Sequence, residues 1–268
     1  MEKTAEGPKY AVPALEKSIA IMEYLAAASD NGASFGDLSK ELGLPRTSVY
    51  TILNTLESYG LIRKSPGGTY HLGLKLYSLG MSAIRGIDTG TTIVPYMERL
   101  RDETNFTVHL GIYDKGEFVT LEKIEGAGMV RFQSFAGERK RMNTSAVGKA
   151  IAAYLPEREL QLVIAKGLLL LTPNSIGTEA AFREHLRQVR GSGYAIDDEE
   201  GEMGVRCIGV PLFMSDGIVY GAISLTTLKG NLPVQSLPHF GNMLIEAGKE
   251  ISARLGYKGN YPITGQNE

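Results

Sequence analysis

A single cysteine, Cys207, stands among 268 residues. The chain therefore cannot close a disulfide on itself or assemble a multi-thiolate metal site. No stretch approaches the roughly 18 uninterrupted apolar residues a membrane helix needs, and residues 1–8 are too polar for a secretory signal. The expected place of action is the cytoplasm, with no membrane partner. His71, His109, His185 and His239 are scattered without metal-ligand spacing, and there is no P-loop or dinucleotide fingerprint. Neither a metal nor a cofactor is expected. A surplus of cations is missing too: the formal net charge is −2, so any affinity for a polyanion must come from where the basic side chains sit.

What is present is the composition of an ordinary globular chain, 43% apolar and 22% charged. Its length predicts two folded units of roughly 80 and 180 residues. In residues 14–28, Leu15, Ile19, Met22 and Leu25 recur at helical spacing with Pro13 in the first turn. After the turn signal Asn31-Gly32, Ser34 stands three residues before Asp37, close to a capping box, and opens a short helix ending at Gly43. Pro45 suits the first turn of a third helix with an apolar stripe of Val49, Ile52, Leu53 and Leu56. Residues 61–64 and 69–72 then alternate like strands around Ser65-Pro66-Gly67-Gly68, a hairpin. This order is that of a winged helix-turn-helix.

The other face of the third helix carries Arg46, Thr47, Tyr50, Thr51 and Asn54, with Ser48 beside them. The major groove admits one α-helix and offers donors, acceptors and thymine methyls, which such side chains match. Arg46 suits a guanine edge or a phosphate, Thr47, Ser48 and Thr51 a phosphate or a thymine, and Asn54 an adenine. In the wing, Arg63, Lys64 and His71 supply local cations or donors beside the duplex. The competing readings are a merely solvated face, or a winged domain that holds only protein partners.

Residues 76–104 read as a helical connector able to pack against a second chain, after a first domain over 1–75. Beyond it, 106–113, 117–124 and 130–135 look like strands, 146–154 and 179–190 like helices, 194–198, 206–214 and 218–227 like strands, and 234–255 holds a closing helix. That mixture predicts an α+β domain over 105–258 with an antiparallel sheet flanked by helices, followed by an unstructured tail over 259–268.

At this point the sequence resembles the IclR family of bacterial regulators from Val12 to about Leu255. The likeness rests on Leu42-Gly43-Leu44-Pro45-Arg46-Thr47-Ser48-Val49-Tyr50, on Ser145-Ala146-Val147-Gly148-Lys149-Ala150, and on Asp197-Asp198-Glu199-Glu200 followed by Gly204-Val205-Arg206-Cys207-Ile208. The resemblance implies a GAF-like effector domain, a homodimer or dimer of dimers, double-stranded DNA with a palindromic operator as partner, and control of catabolic genes, often by repression. It also implies a pocket for a small-molecule effector made by Ser145, Ala146, Asp197, Cys207, Ser224 and Thr226. Met142-Asn143-Thr144 and Thr226-Thr227-Leu228-Lys229-Gly230 depart from the family's common pattern beside that pocket.

The chemistry of those residues agrees with such a pocket. Ser224 and Thr226, two apart on a strand, share a face. Amides opening a helix at 145–147 suit a carboxylate, pointing to an organic or sugar acid. Asp197 is an acceptor for ligand hydroxyls, or else a turn residue. Cys207 is read as a buried pocket wall rather than a nucleophile, Lys149 as facing solvent or holding a helix contact, and Gly148 as permitting close packing. The rival reading, an enzyme using Cys207 or Asp197, requires a base beside the thiol.

Overall fold

In the computed structural model, residues 11–28, 31–83 and 89–261 are described. The chain divides into two compact units, Met1–Gly86 and Ile87–Glu268.

In the first unit, helix α1 spans Pro13–Ala27, α2 Phe35–Glu41 and α3 Arg46–Ser58. Pro13 holds the first helical position of α1, where its missing N–H costs nothing. Ser34 and Asp37 complete the capping box at α2, each side chain taking the other's backbone N–H. Pro45 stands one residue earlier than expected, as the cap rather than in the first turn of α3. The turn between α2 and α3 places Gly43 at φ 61°, a left-handed conformation that glycine adopts without a steric penalty. Ile21, Leu25, Leu38, Val49, Leu53, Leu56 and Ile62 meet in one apolar cluster; the stripe read for α3 is the buried one, whereas in α1 Ile21 and Leu25 are buried and Leu15 and Ile19 of the expected stripe are exposed.

The wing is β2, Ile62–Lys64, against β3, Thr69–Leu72, with Arg63 opposite His71. A two-residue strand, β1 at Ala33–Ser34, adds to the far edge of β3. Nothing in its sequence announced it, because two residues are too few to show alternation. Helix α4, Leu74–Ala83, falls in the connector assigned from sequence and groups with the first unit. Residues 84–88 of that connector lie outside the described residues.

In the second unit, α5 is Thr89–Thr92, α6 Val94–Thr104, β4 Thr107–Asp114, β5 Glu117–Ile124, β6 Arg139–Arg141, α7 Ala146–Ala152, α8 Glu157–Ala165, α9 Glu179–Ser192, β7 Ala195–Asp198, β8 Val205–Phe213, β9 Val219–Leu228 and α10 Leu237–Arg254. The strands form one six-stranded antiparallel sheet in the order β6-β5-β4-β9-β8-β7. Both faces are covered, so all nine residues of β8 are buried. Ile208, Val210, Ile223 and Leu225 pack with Met97 and Leu244 on one face. Phe118, Val147, Phe182, Phe213 and Ala222 cluster on the other.

Three expectations need correction. Residues 130–135 form no strand; the edge strand is β6, with Glu117 opposite Arg141. The apolar residues Val130, Phe132 and Phe135 mimic alternation but belong to an irregular segment laid over the sheet. Helix α8 forms where no element was expected, with Leu160 and Val163 buried. The tail over 259–268 is held at its start, where the Tyr261 hydroxyl donates to the Pro211 carbonyl at 2.7 Å; residues 262–268 lie outside the described residues.

Candidate functional site

Two surfaces carry candidate chemistry. The first is the outer face of α3. With Val49, Ile52, Leu53 and Leu56 committed to the core, the helical period turns Arg46, Thr47, Tyr50, Thr51 and Asn54 to solvent, and Tyr50 is 63% exposed. Ser48, at the margin, is half-buried. The Arg46 guanidinium lies 5.1 Å from the centre of the Phe35 ring, an orienting cation–π contact. Arg46, Arg63 and Lys64 enter no ion pair among the described residues, which leaves their charge free for an external anion.

Two of the predicted residues differ from expectation. The Thr51 hydroxyl donates to the Thr47 carbonyl at 3.0 Å. Its proton is therefore spent on the helix, and the side chain offers a groove only its methyl and an acceptor oxygen, not a donor for phosphate. His71 is half-buried, its Nε2 is 3.1 Å from the Thr69 hydroxyl, and it packs close to Gly32. It is thus tied into the wing rather than standing free of it. The outward cations of the wing are Arg63 and Lys64, the latter steadied over Tyr70 at 5.3 Å.

The second surface is a cavity of about 430 Å³ in the second unit. Antiparallel register builds its wall. Asp197 on β7 lies opposite Cys207 on β8, Cys207 opposite Thr226 on β9, and Thr226 opposite Thr107 on β4. The neighbouring row runs Gly209, Ser224, His109. Ile223 and Leu225 point away into the core, so Ser224 and Thr226 face the cavity. The start of α7 closes one side. Gly209 allows this, since a Cβ there would come within 3.1 Å of Ala146. Gly148 does the same deeper in α7, where a Cβ would meet the Met142 carbonyl at 2.4 Å. Ser145, Ala146, Asp197, Cys207, Ser224 and Thr226 thus all line one space.

Electrostatics narrows what these residues can do. The Ser145 hydroxyl already accepts from Gly148 N at 2.9 Å, capping α7. Asp197 Oδ1 accepts from Glu200 N at 2.8 Å and Gly201 N at 3.3 Å, so the residue ties a turn while lining the cavity. Burial pushes its pKa up. Burial, helped by the adjacent Asp197 charge, pushes the Cys207 thiol well above its usual range. A thiol so held is protonated and a poor nucleophile.

Sequence reasoning missed His109, whose spacing to any motif residue is uninformative. Its Nδ1 is 3.1 Å from the Thr226 hydroxyl and its Nε2 2.7 Å from that of Ser134. Burial, with Lys140 and Lys123 nearby, pushes its pKa down to about 3, so the ring is neutral near pH 7. It is bonded to Thr226 and Ser134 rather than to Cys207. Lys149 was misplaced: every residue of α7 is buried, and its ammonium is ion-paired with Glu200 behind the wall. Asn143, in a stretch where the family pattern is broken, donates to the Leu169 and Ile176 carbonyls at 2.8 and 2.9 Å, pinning the segment that carries Leu169 and Leu171 to the cavity. No described helix is long and apolar enough to cross a membrane.

A winged helix-turn-helix with an open polar face and unpaired cations is the working part of a DNA-binding transcription regulator. The chain belongs to the IclR family. The family described as bacterial transcriptional regulator IclR C-terminal matches residues 81–253, and the IclR helix-turn-helix domain matches residues 14–66. Over 223 residues the chain is 36% identical to the HTH-type transcriptional regulator XynR of Escherichia coli K12, covering 82% of this chain and 88% of that one. It is 33% identical over 247 residues to the HTH-type transcriptional repressor AllR of Klebsiella pneumoniae, covering 91% and 90%. The fold matches a crystal structure of an IclR homolog complexed with 4-hydroxybenzoate from Microbacterium hydrocarbonoxydans, with a TM-score of 0.79, 20% identity, and coverage of 90% and 98%. XynR and AllR are regulators, and the chain is a regulator rather than an enzyme.

Proposed function

We propose that this protein represses catabolic genes in the cytoplasm by binding a palindromic operator, and that a small organic or sugar acid in the 430 Å³ cavity alters that binding. The observation that carries the DNA half is the exposed, hydrogen-bonding face of α3 beside the unpaired Arg46, Arg63 and Lys64. In the major groove, Arg46, Thr47, Tyr50 and Asn54 contact base edges or phosphates, and Arg63 and Lys64 contact backbone. The effector half is supported by the cavity's size, within the range of small-molecule sites, by its hydroxyl-lined wall, and by 4-hydroxybenzoate in the Microbacterium homolog.

A two-fold operator requires two heads. Val12, Leu15 and Ile19 on α1 and its approach are exposed, as are Leu74, Tyr77 and Leu79 on α4, with Leu74 at 84%. Apolar side chains in such number on two helices favour burial against a second copy. The homodimer, alone or paired as a dimer of dimers, spaces its heads one helical turn apart, and residues 76–104 carry the effector's influence to them.

The test separates the halves. Arg46→Ala with Tyr50→Ala abolishes operator retention in a gel-shift assay while the thermal shift produced by a bound acid is unchanged. A footprint without two-fold symmetry, or full operator binding by the double variant, overturns the reading.

A further inference from the structure

The strand row that walls the cavity leads into a second space. A smaller cavity of about 190 Å³ lies over the start of β4 and the end of β9, bounded in part by Asn105, Thr107, Val130 and Leu228. Two residues, Phe132 and Thr226, are walls of both spaces. Thr226 is fixed in the ladder between Thr107 and Cys207. Phe132 belongs to no helix or strand. Its ring rests on Ala146, Val205 and Cys207, roofing the larger cavity where the effector head is placed.

The segment bearing Phe132 hangs on a few polar ties. Lys123 Nζ donates to the Phe132 and Ser134 carbonyls at 2.6 and 3.1 Å, and His109 meets the Ser134 hydroxyl. None of these bonds involves the Phe132 side chain, so its ring can turn without breaking a ladder or a helix. The two spaces also differ in chemistry. The larger has Asp197 in its wall and Lys140 and Glu138 paired at 3.2 Å along its lining. The smaller is lined by no charged residue and mixes apolar walls with threonine and asparagine.

We propose that the smaller chamber is a subsite for the uncharged tail of an elongated carboxylic acid whose acid group occupies the larger cavity, and that the Phe132 ring, as partition, sets the admitted length. This rests on the reading of the larger cavity as the effector site. Each methylene taken from water into the chamber raises affinity about fourfold.

The test is a length series of straight-chain monocarboxylates, butanoate to decanoate, titrated into the full-length protein by calorimetry. For the native chain, affinity climbs with length and levels off once the chamber is full. Phe132→Ala steepens the rise with length, the longest acids gaining at least tenfold relative to butanoate in the same variant. Val130→Trp, which fills the chamber from its wall, keeps butanoate and loses the gain from length. A length profile identical in all three proteins overturns the subsite while leaving the larger cavity as an acid site. Failure of every acid to bind the native chain overturns both readings. Should Val130→Trp lose butanoate as well, the Phe132→Ala profile decides alone.

Discussion

Lys149 shows what a sequence hides at the scale of one residue. On a helix it reads as solvent-facing or as holding a helix contact, because lysine is almost never fully buried without a partner. Here α7 has no polar face at all, and the partner, Glu200, lies far along the chain on the turn that Asp197 ties. Pairing across that separation leaves no periodic trace. The cluster holds one ammonium against two carboxylates, and burial raises the pKa of both Asp197 and Glu200. Removal of the cation is therefore worse than removal of one anion. Lys149→Met leaves two buried acids without their cation and costs about 3–5 kcal/mol, whereas Glu200→Gln leaves Asp197 as counter-charge and costs less. Urea unfolding of the two variants at pH 7 gives this order. The reverse order refutes the charge count.

At the scale of elements, legibility followed how much of each segment's environment is local. The stripe of α3, the capping box of α2 and the alternation of β9 are set by neighbours in sequence, and the structure has them where spacing put them. The segment at 130–135 shows the same alternation, but its apolar side chains are recruited by a cavity roof instead of a ladder. Strand β6 is too short and too basic to read as a strand; it exists because β5 offers an edge. Likewise Ser224 and Thr226 were legible as one face, whereas His109 joined them only through the β4–β9 register. The two faces of α3 make separable predictions. Leu53→Ala, at 1% exposure, destabilises by about 2–5 kcal/mol through the cavity it leaves. Asn54→Ala leaves stability within about 0.5 kcal/mol and weakens operator binding by about 1–3 kcal/mol. Thermal melts beside gel shifts distinguish them, and equal stability losses would show that α3 does not present two faces.

For the whole molecule, charge placement outweighs charge total. A net −2 gives no general attraction to DNA, yet Arg46, Arg63 and Lys64 stand outward in one unit without acidic partners among the described residues. If both heads of a dimer place these cations on phosphates, log affinity falls with log salt at a slope of roughly −5, near −0.9 for each phosphate neutralised. Arg63→Ala with Lys64→Ala removes roughly four contacts per dimer and flattens the slope to below roughly −2. Filter binding from 50 to 300 mM salt measures it; an unchanged slope in the variant means the wing does not touch the backbone.

The divided duty of Asp197 bears on what any guest can do. One oxygen of its carboxyl group holds the amides of Glu200 and Gly201; the other accepts neither. A molecule that greets the other oxygen leaves the turn fastened. One that claims the occupied oxygen competes with the loop for the same lone pairs and loosens the knot holding Glu200 beside Lys149. Two compounds of equal affinity, differing only in which oxygen they court, would then leave the protein in different mechanical states, and inducer and silent ligand would be told apart by the aim of a single hydroxyl.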